Sequence, residues 1–179
     1  VTMAKGNIKD WDNILLSYYN EFGEDIERYR LVKKEIDYKH LFIDSGAFSA
    51  FTQGVKIDID KYIDFLKKVD KNDQYASLDV IGDAEKSLEN WLYMKSKGLD
   101  PIPVIHYGSD KKYFDIYLRE HRIKYLALGG LVPYTKKKIK LKRWLDYSFS
   151  LIKPYFPVKT HLFGVTSDWV LMRYPVYSC

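Results

Sequence analysis

Two aspartates stand where a short apolar run gives way to small or polar residues. Leu41-Phe42-Ile43 ends at Asp44, which is followed by Ser45-Gly46-Ala47-Phe48-Ser49, and the run Tyr75 to Leu78 ends at Asp79. A carboxylate at a strand end, next to residues small enough to let a ligand approach the main chain, suits acid–base catalysis or the binding of a ligand's N–H groups. Aspartate also caps turns and helices, and for Asp44 both readings stay open. For Asp79 the cap role is already taken by Asp83, which tips it toward a ligand contact. Gly129-Gly130 ends a further apolar run, where glycine either relieves a turn or brings main-chain amides to a planar ligand. His106 follows the run Ile102 to Ile105 as a proton carrier, a hydrogen-bond partner or a satisfied interior histidine.

The elements that must position these residues repeat one pattern, in which an apolar run ends in a small or polar residue and an amphipathic helix follows. Ile59, Tyr62, Ile63 and Leu66 recur at helical spacing, and Leu88, Trp91 and Leu92 mark a buried face between a cap at Asp83 and a stop at Gly98. Ser109 or Asp110 caps the next helix, and a longer one carries Leu141, Trp144, Leu145 and Ile152 before Pro154 and Pro157 break it. Thr160 to Phe163 is a strand ending at Gly164, and Val176-Tyr177-Ser178 is a last one. Ahead of all this, helices are predicted from Asp10 to about Tyr19 and around Asp25 to Lys34. Strict strand-helix alternation predicts parallel strands. Polar residues at nearly every strand end favour a closed (β/α)8 TIM-type barrel over a doubly wound sheet. Six of its eight strands are expected here, in one incomplete domain spanning residues 1–179, with the outer strands beyond a fragment that begins at Val1-Thr2 without an initiator methionine. Such a barrel would bring Asp44, Asp79, His106, Gly130 and Phe163 to one pocket.

Composition narrows the class. Hydrophobic residues make up 46% of 179, which is ample for a buried core and argues against disorder. No run approaches the ~20 apolar residues of a membrane span, and Val1 to Gly6 lacks the order of a signal peptide. The single cysteine, Cys179, rules out an internal disulfide framework or a multi-cysteine zinc site within the chain, and its expected role is packing. A cytoplasmic protein in a reducing compartment is expected. The net charge of +5 admits an acidic partner. Lys136, Lys137, Lys138, Lys140, Lys142 and Arg143 crowd one helix start. Such runs are usually solvated faces, but this one follows Gly129-Gly130 directly and is expected at the rim of the active face, holding phosphates.

Taken in order, Asp44-Ser45-Gly46, Ser77-Leu78-Asp79, Leu128-Gly129-Gly130-Leu131 and Leu162-Phe163-Gly164-Val165 resemble the queuine tRNA-ribosyltransferase (tRNA-guanine transglycosylase) family, from Leu41 to Cys179. The resemblance implies a (β/α)8 barrel, of which this chain would hold the second to seventh strands. It implies exchange of guanine in tRNA or DNA for a 7-deazaguanine through a covalent aspartyl-glycosyl intermediate. Asp44 would be the general acid/base. Asp79 would accept from N1–H and N2–H of the guanine edge, with Ser45 and Gly46 beside the base. Gly129 and Gly130 would present N–H groups to its O6 side, and Phe48 and Phe163 would sandwich it. The family's aspartate nucleophile has no match; it is expected directly after Val176-Tyr177-Ser178-Cys179, and the isolated chain is therefore expected to be silent in catalysis. The family's zinc ligands are expected beyond that point too, so no cofactor is expected within this chain.

Ala47 and Ser49 stand where the family usually has glycine and glutamine, and His106 stands where a base-reading glutamine is expected. These departures resemble the divergent phage and bacterial branch that inserts 7-deazaguanines into DNA. The partners so implied are a nucleic acid, a guanine or 7-deazaguanine base and no membrane, with a homodimer as an open assembly. Two other functions fit the same residues: a glycoside hydrolase using Asp44 and Asp79 as its carboxylate pair, or a non-catalytic nucleic-acid-binding relative.

Overall fold

The computed structural model describes residues 12–36 and 38–179. Two compact units are distinguished, the first comprising the chain up to Asp79 together with Glu89–Pro101, the second Val80–Leu88 with Ile102–Cys179.

The first unit is built on a three-stranded parallel sheet of β1 (Asn13–Ser17), β2 (His40–Asp44) and β3 (Gln74–Tyr75), with β2 in the centre. Leu41, Phe42 and Ile43 are all buried, as expected of a central parallel strand covered on both faces. Around it run α1 (Ile26–Glu35), α2 (Ala47–Thr52) and α3 (Ile59–Leu66), and a π-helical turn, Tyr18–Phe22, follows β1. Asp25 caps α1, its Oδ1 accepting from the N–H groups of Glu27 and Arg28, and Asp58 caps α3 in the same way. Tyr62, Ile63 and Leu66 form the buried face of α3.

α4 (Ala84–Ser96) begins where Asp83 Oδ1 accepts from Lys86 N–H at 2.9 Å and ends before Gly98, whose φ is +84°. Leu88 and Trp91 are buried as expected, whereas Leu92 is 42% exposed and Met94 is fully covered.

In the second unit β4 (Val104–His106), β5 (Tyr125–Gly129) and β6 (Lys159–Leu162) make another three-stranded parallel sheet, with β5 in the centre. Leu126, Ala127 and Leu128 are wholly inaccessible. α5 (Lys111–Phe114), capped by Asp110, continues as π-helix over Asp115–Glu120. α6 (Lys138–Ile152) buries Leu141, Trp144, Leu145 and Ile152, and α7 (Asp168–Leu171) follows β6.

These findings correct three expectations. The (β/α)8 barrel fragment is not what forms: the six strands lie in two separate three-stranded parallel sheets. Alternation of strand and helix requires parallel crossovers but not closure. Past Ala76, the Leu78 main chain is satisfied by α4, with Leu78 N–H donating to Met94 Sδ at 3.4 Å and Asn90 Nδ2 donating to Leu78 O at 2.9 Å. Second, the helix expected from Asp10 to Tyr19 is strand β1 over Asn13–Ser17, while Asp10 itself lies outside the described residues. Its carbonyls and amides pair with β2, a tertiary partner that local periodicity does not reveal. Third, the strand expected at Val176–Ser178 is reduced to a single parallel bridge, His161 to Ser178, with Tyr177 N–H donating to Thr160 O at 2.9 Å.

His161 anchors that bridge. Its Nδ1 lies 2.7 Å from Ser178 Oγ, which also hydrogen-bonds the Tyr125 hydroxyl. Burial pushes the imidazole down from 6.5 to about 4. The folded protein thus resists a proton that the unfolded chain accepts below 6.5, so this residue's contribution to stability is present above that pH and falls as pH drops toward about 4. We expect urea unfolding to show a loss on the order of 3 kcal/mol across this window that His161→Gln removes. Equal pH dependence in the two proteins would refute it.

Candidate functional site

Asp44 is the last residue of β2, and Ser17, the last of β1, is its partner in register. Both strands stop there because the next residues leave the ladder: Ser17 caps the π-helical turn by accepting from Asn20 N–H, and Gly46 turns the chain into α2 with φ +80°. A side chain at Gly46 would place its Cβ 2.5 Å from both Ser17 Oγ and Tyr19 Cβ. Glycine at this position is therefore required both by the backbone angle and by the closeness of the neighbouring segment.

Ser45, fully buried, links the end of β2 to Asp79, which lies four residues past the end of β3 rather than at the strand end expected of it. Its hydroxyl donates to Asp79 Oδ1 at 3.0 Å and accepts from Ala47 N–H at 3.2 Å. Asp44 keeps only part of its surface in solvent, and burial is the largest force on its carboxyl, with the negative charge of Asp79 next. Main-chain N–H groups of Gly46 and Ser45 oppose the shift but do not cancel it, and the carboxyl is raised from 3.8 to about 7. The inaccessible Tyr62 lies within the field of both carboxylates. Its phenol is pushed well above its ordinary range, by burial first and then by Asp44 and Asp79, and its hydroxyl donates to Ala76 O at 2.9 Å. An acid that titrates near neutrality, beside a second carboxylate whose hydroxyl donor is fixed, can give and take a proton in one place and accept N–H groups in the other.

Sequence reasoning missed one side of this cluster. Ser17 is buried, and Asn20 Nδ2 donates to Ser17 Oγ and to Ser49 Oγ, each at 3.1 Å. The signal was present: Ile14-Leu15-Leu16 ending at Ser17 repeats the apolar run with a small polar end that marks β2. Phe48, on the first turn of α2, is 37% exposed.

Among the residues expected in the site, the second unit brings together His106, Gly129 and Gly130. His106 ends β4 opposite Gly129 in register, and a Cβ on Gly129 would lie 2.8 Å from Val104 Cγ1 and 2.9 Å from His106 Cδ2. Gly130 has φ +66°. Phe163, half-buried after β6, meets the His161 ring edge-on with centroids 4.4 Å apart. Lys136, Lys137, Lys138, Lys140 and Arg143 are exposed at the start of α6, and Lys142 is ion-paired with Asp146. No acidic residue lies in the first turn of α6, and its cap makes no side-chain hydrogen bond. A cleft elsewhere in this unit, lined by Asp146, Phe149, Lys153, Phe156, Arg173 and Tyr174, contains none of the residues singled out except through Asp146, the partner of Lys142.

Among the described residues no helix is long and apolar enough to cross a membrane. Comparison with protein-family models, with curated proteins and with solved structures gave no match to this chain.

The Asp44 carboxyl makes a testable demand on stability. A folded-state value of about 7 against 3.8 means that the folded protein holds this proton more tightly than the unfolded chain, so the stabilisation is full below about 3.8 and is lost as pH rises through about 7. Asp44→Asn, which cannot ionise, should be more stable than the parent at pH about 8 and gain nothing at pH about 4. Thermal melts at the two pH values check this, and a variant that loses stability equally at both would contradict the burial argument.

Proposed function

We propose that this chain carries the base-handling and nucleic-acid-binding parts of a transglycosylase that exchanges guanine in tRNA or DNA for a 7-deazaguanine. The observation that carries the reading is the pair of carboxylates Asp44 and Asp79 joined through Ser45, with Asp44 raised to about 7. Base exchange needs a proton delivered to the departing purine and removed from the incoming one, and a carboxyl that titrates near neutral pH does both without large cost in either direction. Asp79 accepts from N1–H and N2–H, a donor pair that guanine and its 7-deaza analogues present and adenine does not. The order of strand-end motifs that resembles the queuine tRNA-ribosyltransferase family supports the same assignment. The glycosyl intermediate of that chemistry requires a further carboxylate as nucleophile, and neither Asp44 nor Asp79 takes that role.

The exposed cations at the start of α6 support the polymer part of the reading. Positive charge there opposes the helix dipole, which favours anions at this end, so the run costs local stability unless an anionic partner offsets it.

In the full gene product, Asp44→Asn should reduce incorporation of labelled guanine by roughly 10²- to 10⁴-fold while leaving polymer affinity nearly intact. Asp79→Asn should weaken guanine binding to the chain, measured by calorimetry, without creating a preference for adenine. Exchange at parental rate in Asp44→Asn would end the proposal, and sugar hydrolysis without nucleic acid would point instead to a glycosidase pair.

Replacing Lys137, Lys138 and Lys140 together by Gln should weaken nucleic-acid binding and lower the log-log salt slope by about 0.7 to 0.9 for each phosphate no longer neutralised. Free-base affinity should not change. Identical binding of DNA and tRNA by the triple variant at every salt concentration would show the run to be a solvated face.

A further inference from the structure

Each loop leaving the carboxyl end of the second sheet carries an aromatic ring. Tyr107 follows β4, Tyr134 closes the 3-10 turn Val132–Tyr134 after β5, and Trp169 lies in α7 after β6. All three are half-buried. The loops form a continuous rim. Tyr107 N–H donates to Gly129 O at 3.0 Å, and Gly164 approaches Val132 so closely that an added Cβ would lie 2.5 Å from Val132 Cγ2. The rings of Tyr107 and Tyr134 stack with centroids 3.6 Å apart and planes 11° apart.

Cations are interleaved with these rings. Lys137 Nζ lies 5.7 Å from the Tyr134 centroid and Lys138 Nζ 5.2 Å from that of Trp169. The two lysines are consecutive, so both rings lie near the start of α6. Among the described residues neither lysine has an acidic partner, and nor do Lys136, Lys140 and Arg143. Ile139, in the middle of the run, is 70% exposed.

We propose that this rim is a stacking platform for single-stranded nucleic acid, with the lysines on the phosphates and Tyr134 and Trp169 against unpaired bases. The inference rests on the reading of the basic run as a nucleic-acid surface and adds the form of the polymer. A duplex hides its base faces inside its own stack and presents phosphates, for which lysines alone suffice. Aromatic faces set among cations suit bases that are unstacked. An enzyme acting on a base must take it out of the stack, and unpaired neighbours held on the rim would keep that opening from closing.

The experiment is fluorescence anisotropy of a labelled single strand of about 20 nucleotides and of the matching duplex, titrated with the chain across a range of salt concentrations, with circular dichroism to confirm that variants fold. The parent should prefer the single strand by about tenfold or more. Trp169→Leu should bind the single strand about tenfold more weakly, within the range of one base–aromatic stack, with its salt slope and duplex affinity unchanged. Trp169→Phe should recover most of that affinity, which separates stacking from a packing defect, and Tyr134→Leu provides an independent variant should Trp169→Leu not fold. Equal affinity for duplex and single strand, or a folded Trp169→Leu that binds as the parent does, overturns the stacking proposal while leaving the phosphate-binding reading in place. Absence of binding to any nucleic acid, with retention on anionic vesicles, overturns both. Base exchange is not part of this readout, so failure of the transglycosylase assignment alone would leave the rim standing.

Discussion

Parallel pairing on both sides of β2 is the constraint on which the first unit depends. A central strand hides its peptide groups by giving them to neighbours, and β1 pairs along the whole of β2 while β3 pairs at Phe42 and Ile43. Asp44 sits at the last paired position, where the ladder ends but the surrounding protein does not. That location removes enough water to raise the carboxyl, and the nearby Asp79 raises it further. The ladder therefore sets both the position of the acid and its proton affinity. Ser45, Gly46 and Ala47 then complete the arrangement through one hydroxyl and one left-handed turn.

Much of this was legible in the sequence because strand ends announce themselves. Five of the six strands overlap runs read as strands from the sequence, and the helix caps at Asp83 and Asp110 follow from side-chain chemistry acting over three residues. What failed was information that resides in distant contacts. Asn13–Ser17 is short enough to fit a helical period, and only its pairing with β2 makes it a strand. Leu92, expected to be buried, is exposed while Met94 is covered, because which face of α4 is covered depends on what lies against it. Strand-helix alternation is likewise silent on whether a sheet closes.

The second unit applies the same strand-end logic with different chemistry. In place of a carboxylate cluster it carries a histidine against a glycine pair, and cations set among aromatic rings. The helix that bears the cations is held by its apolar face, Leu141, Leu145 and Ile152 being fully covered. Burial of that face offsets the unfavourable charge at its start, so the electrostatic cost is borne by packing some turns away.

Gly46 has a consequence for how such a sequence can change over time. The atom an added side chain would strike includes Tyr19 Cβ, which every residue but glycine possesses at that position. No rotamer change at Tyr19 makes room, and the left-handed angle penalises a side chain independently. Drift at position 46 is thus blocked unless the segment after β1 moves away, and that movement would take Ser17 from the side of Asp44. A descendant that kept the carboxylates but lost this glycine would have had to rebuild the end of its first strand, and glycine at 46 together with a small polar residue at 17 is the signature by which an intact site could be traced among diverged sequences.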